Sequence, residues 1–164
     1  MNSDHRETER TRARYDRSAA LYDLLYWPWE KLVVRGFRRK LWAGVPSGEV
    51  LEIGPGTGIN FRYHPGGAAV TAVDLNSKML EQSAKRSGES KSSVELVRGD
   101  VEKLEFPDNS FDSAAATFVF CSVPDMVAGL SELKRVVKPG GPVHLRKQPG
   151  SEGPGGEDNR SGTR

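Results

Sequence analysis

Val50-Leu51-Glu52-Ile53-Gly54-Pro55-Gly56-Thr57-Gly58 constrains the fold more than any other stretch of this chain: an apolar run passes directly into three glycines spaced two apart. The run reads as a buried strand and the glycines as a tight turn into a helix. Residues without a Cβ take φ > 0 and let the backbone lie against a ligand, while the first helical amides point at whatever binds there. A glycine-rich turn alone is also an ordinary strand-to-helix loop, and the ligand-binding version needs its strand, its helix and a downstream acid. The acid is present. Val70-Thr71-Ala72-Val73 is a second β-rich apolar run ending in Asp74, where a doubly wound sheet places a carboxylate against a ribose. The dinucleotide fingerprint wants its third glycine one place later, where this chain has Ile59, which disfavours a nicotinamide cofactor.

The chain then alternates strand and helix signals. Leu75 and Met79 sit four apart on one face of a helix that Asn76 or Ser77 can cap, and an apolar pair at that spacing is also ordinary core. Val94 to Asp100 reads as a third strand with Asp100 at its carboxyl end, beside the glycine turn in a doubly wound sheet. The competing reading makes Asp100 the cap of the turn Val101-Glu102-Lys103-Leu104. Phe111 to Phe120 reads as a fourth strand, small in its middle so that backbone can approach a ligand, with Thr117 near its end. Cys121 to Asp125 forms the following loop and Met126 to Val137 an amphipathic helix. Cys121 reads as a buried structural thiol rather than a nucleophile, since no histidine can be placed beside it.

These segments together resemble the class I S-adenosylmethionine-dependent methyltransferases over roughly residues 12 to 141. Glu52, Gly54, Gly56 and Gly58 look like that family's first motif, Asp74 like its ribose-binding acid, and Asp100-Val101 like the segment beside the adenine. Leu75 and Met79 match positions that flank the adenine ring. The resemblance also implies a cofactor contact at Thr117. Tyr15-Asp16, Tyr22-Asp23 and Cys121-Ser122-Val123 most resemble the branch holding quinone-biosynthesis C-methyltransferases, phospholipid N-methyltransferases and small thiol methyltransferases.

Length and charge bound the rest. The 164 residues imply one domain, and a net charge of +2 with scattered basic residues shows no nucleic-acid footprint. Arg35, Arg38, Arg39 and Lys40 form a local cluster that reads as a solvated helix face, with an anion or lipid-headgroup site as the alternative. One cysteine permits no internal disulfide and the N-terminus has no apolar signal core, so a reducing cytoplasm is expected. No run approaches the ~20 apolar residues of a membrane span. The three histidines, His5, His64 and His144, show no metal-ligand spacing; His64 falls in a turn and His144 reads as a solvated strand residue.

Residues 1–11 are polar and read as disordered. Residues 12–47 read as one or two amphipathic helices, broken near Pro28, that cover the cofactor-binding core of residues 48–149. Tyr15 and Tyr22 are candidates to shape an acceptor pocket, and Trp27 and Trp29 to meet a membrane surface or greasy substrate. After Lys138-Pro139-Gly140-Gly141 the family would continue with an aliphatic fifth strand and further elements. Here Pro142 to Pro149 carries Arg146 and Lys147, and residues 150–164 hold Gly, Pro, Ser and charges, so a disordered tail and missing C-terminal strands are expected.

The expected molecule is therefore α/β: a Rossmann-like, doubly wound, mainly parallel sheet with a helical N-terminal cover. It would transfer a methyl group from S-adenosylmethionine to a small or lipid-like acceptor, with turnover impaired by the shortened C-terminus. The sequence yields no catalytic base. The rival readings are a non-catalytic nucleotide-binding module, a nicotinamide-dependent oxidoreductase and a fragment that does not fold stably.

Overall fold

A computed structural model describes residues 35–146. The expectations for residues 1–34, including Tyr15, Tyr22, Trp27 and Trp29, and for the tail from Lys147 onward lie outside the described residues.

The described chain runs helix α1 (Arg35–Ala43), strand β1 (Glu49–Ile53), a 3₁₀ turn (Phe61–Tyr63), β2 (Ala69–Asp74), helix α2 (Ser77–Ala84), β3 (Ser93–Arg98), β4 (Ser113–Thr117), helix α3 (Met126–Val136) and β5 (Val143–Arg146). The strands form one sheet in the order β3-β2-β1-β4-β5, with every neighbouring pair parallel. This is the expected doubly wound α/β arrangement, in which strand order reverses beside β1 and opens a crevice at the carboxyl ends.

The period-2 alternation of strands divides the core between the two sheet faces. Leu51 and Ile53 of β1 pack with Ala114, Ala116, Val73 and the apolar side of α3 through Leu133 and Val136. Val50 faces the other way, onto Val70, Ala115 and Trp42 of α1. Glu52 shares that second face, so its carboxylate is sealed inside a strand that is buried on both sides. The run Ala114-Ala115-Ala116 is fully buried, as a central parallel strand requires.

Helix caps follow the sequence closely. Asn76 Oδ1 accepts the Lys78 and Met79 amides at the start of α2, and Asp125 Oδ1 accepts the Ala128 amide at the start of α3. Each such cap is worth ~1 kcal/mol.

Four expectations are corrected. No α-helix follows the glycine turn; Thr57 to Asn60 turn and the Phe61–Tyr63 3₁₀ segment replaces it. Pro65-Gly66-Gly67 closes the segment so soon that there is no room for a longer helix, and the Asn60 and His64 side chains are drawn into the interior. The third strand ends at Arg98, before Asp100. The fourth strand is Ser113–Thr117 rather than the longer run, because Phe118 adopts φ 61° and breaks the extended backbone. His144 is not a solvated strand residue: its Nε2 is buried with no hydrogen-bond partner among the described residues.

The fifth strand forms despite its charged residues. It is the outermost strand among the described residues, with Val143 and Leu145 exposed. The Arg146 guanidinium lies 4.1 Å from the centroid of the Phe37 ring of α1, a cation–π contact that accommodates charge at an edge.

Candidate cofactor cleft

A cleft lies at the carboxyl ends of β1 to β4, where open α/β sheets bind their ligands. Its floor is the glycine turn. Gly54 has φ 66° and Gly56 φ 55°, conformations that cost other residues roughly 1 kcal/mol or more.

The glycines do different jobs. A Cβ on Gly54 would sit 2.5 Å from Val119 Cγ2, so this position is glycine because the chain itself packs there, not because a ligand does. A Cβ on Gly56 would meet nothing within 4 Å and would stand in the open cleft. On Gly58 it would lie 3.0 Å from the Ser83 Cα of α2, and Gly58 does not line the cleft. The expectation that a side chain at Gly54 would exclude a ligand directly is thus corrected to exclusion of Val119.

At the β2 and β3 end, two acids are set by backbone amides, all but one of them local. Asp74 Oδ2 accepts the Gly56 amide at 3.1 Å and Oδ1 the Asn76 amide at 2.9 Å. Burial pushes the Asp74 carboxyl above the ordinary Asp value; the two amides pull it back, and the negative charge of Glu52 adds to the rise. Asp100 Oδ1 accepts the Glu102 amide at 2.9 Å, so it does cap its turn, and it also lines the cleft. Leu75, Met79 and Val101 line the same end and give it an apolar slot between the acids.

At the β1 and β4 end, the site depends on a network of distant side chains. Glu52 does not reach the cleft: its Oε1 accepts Asn60 Nδ2 at 2.6 Å, and its Oε2 lies 3.0 Å from His64 Nε2. His64, expected in an ordinary turn, is fully enclosed, with Nδ1 3.0 Å from Ser90 Oγ and its ring 4.5 Å from that of Trp42. Thr117 does line the cleft, and its hydroxyl accepts Asn60 Nδ2 at 2.7 Å and Arg38 Nη1 at 3.0 Å. Arg38 Nη1 also donates to Asn60 Oδ1 at 2.6 Å. The basic cluster therefore splits: Arg35, Arg39 and Lys40 are exposed, whereas Arg38 enters the cleft wall.

Phe118, Val119, Val123 and Pro124 complete the rim above β4. The apolar surface continues onto α3 through Met126 and Val127, the latter 74% exposed. Cys121 is exposed rather than buried, its Sγ 3.2 Å from the Phe118 carbonyl, and it does not line the cleft. Arg135 holds this wall to the Asp100 turn: it donates to the Leu104 and Phe106 carbonyls and pairs with Asp108 and Glu132. Glu102 Oε1 accepts the Asp125 amide at 2.8 Å, a second tie between the same two segments.

The donor set fits an adenosyl cofactor. Asn76 Nδ2 is buried in the cleft wall with no hydrogen-bond partner among the described residues, although its Oδ1 is fully used as a helix cap. A buried amide donor left unsatisfied costs ~1–3 kcal/mol, and a ligand acceptor beside Asp74 would remove that cost. Sequence reasoning found Asn76 only as a cap and missed Arg38, Asn60 and His64 altogether.

Residues 51–145 match the family described as Methyltransferase domain. The chain is 34% identical over 146 residues to a demethylmenaquinone methyltransferase of Staphylococcus aureus, covering 85% of this chain and 57% of that protein. It is 36% identical over 99 residues to a phosphatidylethanolamine N-methyltransferase of Cereibacter sphaeroides, covering 59% and 49%. Among solved structures, it resembles an S-adenosylmethionine-dependent methyltransferase of Thermotoga maritima, with TM-score 0.63 and 25% identity over 76% of this chain and 55% of the other. The chain spans about half the length of the relatives it matches.

Proposed function

This chain belongs to the class I S-adenosylmethionine-dependent methyltransferases, and from that premise we propose that its cleft binds S-adenosylmethionine and directs methyl transfer to an apolar, quinone-like or lipid-like acceptor. The observation that carries the reading is the β2/β3 end of the cleft. Asp74 and Asp100 offer acceptors for hydroxyl and amino donors, Asn76 Nδ2 offers an unmet donor, and Leu75, Met79 and Val101 offer an apolar slot of the kind a purine needs.

The bound cofactor supplies a methyl group on a sulfonium, already an electrophile. The chain's own residues therefore need only bind, align and exclude water, and alignment of reactants can remove roughly 7–11 kcal/mol of barrier at best. Asp74 and Asp100 fix the nucleoside end. Gly56 leaves the floor open for close approach. Phe118, Val119, Val123 and Pro124 keep the acceptor side dry. No side chain is assigned as a general base.

An apolar acceptor is supported by that rim, by its continuation over Met126 and Val127, and by relatives whose names specify demethylmenaquinone and phosphatidylethanolamine. No helix of the described residues is long and apolar enough to cross a membrane. Such an acceptor would thus be met at a surface, where Trp27 and Trp29 are candidates for contact, and the single exposed thiol suits the reducing cytoplasm expected from the sequence.

The test is calorimetry of the full chain with S-adenosylhomocysteine and with NAD, followed by methyl transfer to quinols, phosphatidylethanolamine vesicles and small thiols. Heat with S-adenosylhomocysteine alone, and transfer to a quinol or lipid, is the expected result. Heat with NAD alone overturns the cofactor assignment. Binding without transfer to any acceptor would favour a non-catalytic cofactor-binding module.

A further inference from the structure

Thr117 lines the cleft at the end of β4, and both acceptor positions of its hydroxyl oxygen are taken. Asn60 Nδ2 donates to Oγ1 at 2.7 Å and Arg38 Nη1 at 3.0 Å. Chemistry fixes the direction of both bonds. A guanidinium only donates, so the amide atom of Asn60 that lies 2.6 Å from Arg38 is its oxygen. The amide nitrogen then faces Glu52 Oε1 and Thr117, and it too only donates. A hydroxyl has two lone pairs and one proton, so the Thr117 proton is left over, and no described residue accepts it. With the inner sides of the oxygen occupied, that proton is turned toward the cleft. We propose that the Thr117 hydroxyl donates a hydrogen bond to an oxygen of the methyl acceptor, and so selects an oxygen-bearing ring that is methylated at carbon; the proposal rests on the S-adenosylmethionine reading given above.

The hydroxyl stands on the acceptor side. The nucleoside groups belong to the acids of β2 and β3, whereas Thr117 runs directly into Phe118 and Val119, which with Val123 and Pro124 form the apolar rim. Ser122, the other hydroxyl of that wall, spends its proton on the Val119 carbonyl at 2.8 Å. The donor is also held before anything binds. Asn60 is kept in place by Glu52, and Glu52 Oε2 in turn lies 3.0 Å from the enclosed His64 Nε2. A donor fixed by such a network loses little freedom when a ligand meets it.

The direction of the bond discriminates among acceptors. An amine or a thiol attacks with the lone pair of its reacting atom, and a donor aimed at that atom would hold the pair back. A phenol or quinol ring attacks through carbon and can spend an oxygen lone pair on Thr117 without that penalty. The hydrogen bond also favours the ionised oxygen, whose charge enriches the ring carbon beside it. That carbon takes the methyl as the carbon–sulfur electron pair returns to sulfur, and its own proton then leaves to water.

The experiment measures binding of three probes to the full chain saturated with S-adenosylhomocysteine: 1-naphthol, 1-methoxynaphthalene and 1-methylnaphthalene. The wild type should prefer 1-naphthol to the hydrocarbon by about tenfold, the factor that about 1.4 kcal/mol gives. The methoxy compound, which keeps the lone pairs and lacks the proton, should side with 1-naphthol. Thr117→Ser should keep the preference, and Thr117→Val should bind all three alike at the hydrocarbon's level. Should Thr117→Val not fold by circular dichroism, Thr117→Cys carries the test, since a thiol is a weak donor and the preference should shrink. A wild type without preference, a methoxy compound that falls to the hydrocarbon's level, or a preference that survives in the Val or Cys variant each overturns the assignment. So does a loss of S-adenosylhomocysteine affinity in Thr117→Val as large as the loss of 1-naphthol affinity, which would give the hydroxyl to the cofactor. Failure of the saturated wild type to bind any of the three overturns the aromatic acceptor, and failure to bind S-adenosylhomocysteine instead overturns the cofactor reading beneath it.

Discussion

The two ends of the cleft are built on different principles. At the β2/β3 end the functional groups are fixed by backbone amides, most of them within three residues: Asp74 by Asn76, with Gly56 of the glycine turn as its one distant donor, Asn76 by the Lys78 and Met79 amides, Asp100 by the Glu102 amide. At the β1/β4 end Arg38, Glu52, Asn60, His64 and Thr117 hold one another through side chains drawn from both halves of the described chain. A site made from local turns tolerates damage to one partner better. A site made from a closed network of buried polar groups fails together, because each member removed leaves others buried and unpaired.

The sharpest way to break that contrast is Glu52→Ala. It strips the acceptor from both Asn60 and His64 in a place with no water access, and removing one partner of a buried pair costs ~3–5 kcal/mol. Chemical denaturation should show that loss. A change below about 1 kcal/mol would mean that the network is not a unit.

Gly54 and Gly56 sharpen the comparison at the turn shared by both ends. Gly54→Ala combines a clash with Val119 and an unfavourable φ, and should destabilise by roughly 2–4 kcal/mol. The added mutation Val119→Ala should recover part of the melting temperature. Gly56→Ala carries only the backbone cost of about 1–2 kcal/mol, yet should impair S-adenosylhomocysteine binding because its methyl group stands in the cleft. Equal melting temperatures for the two single variants would contradict the assigned roles.

Asp74 gives the smallest and most local effect. Asp74→Ala should weaken S-adenosylhomocysteine binding by ~1–3 kcal/mol. The carboxyl is raised in the folded state, so the folded chain takes up a proton before the unfolded chain does. Its contribution to stability is therefore greatest at pH below the unfolded value and is lost as pH rises through the folded one. Ligand binding runs the opposite way, since the ionised form accepts hydroxyl donors: affinity should drop as acid crosses the raised folded pKa. Asp74→Asn should flatten that drop, and an unchanged pH profile in the variant would remove Asp74 from ligand recognition.

Legibility in the sequence follows the same divide. The first four strands in outline, the cap at Asn76 and the places of Asp74 and Asp100 were readable because short-range rules govern them: apolar β-rich runs, cap residues before helices, carboxylates at strand ends. Arg38 was hidden among three other cations, since nothing in a helical sequence tells which of its charges turns inward. His64 sat before a proline-glycine turn and looked exposed, although tertiary packing encloses it between Trp42 and Phe61. Phe118 gave no signal either; its positive φ and its place under Arg38 depend on residues far away along the chain. Glu52 was found by motif but not by role, because only the fold shows which face of β1 it occupies.

The strand order β3-β2-β1-β4-β5 also bears on how the molecule comes into being on a ribosome. The pairing of β1 with β4 spans about three times as much chain as that of β1 with β2. Closing the longer loop adds only about 1 kcal/mol of entropy, so synthesis rather than loop closure sets the sequence of events. Once residues 49–98 have emerged, β1, β2 and β3 can pair, and Glu52 already has Asn60 and His64 beside it. The acid-bearing half of the crevice is then nearly complete while Thr117 is still unmade. A nascent chain is expected to acquire its grip on a nucleoside before it acquires the wall that would present a methyl group to anything.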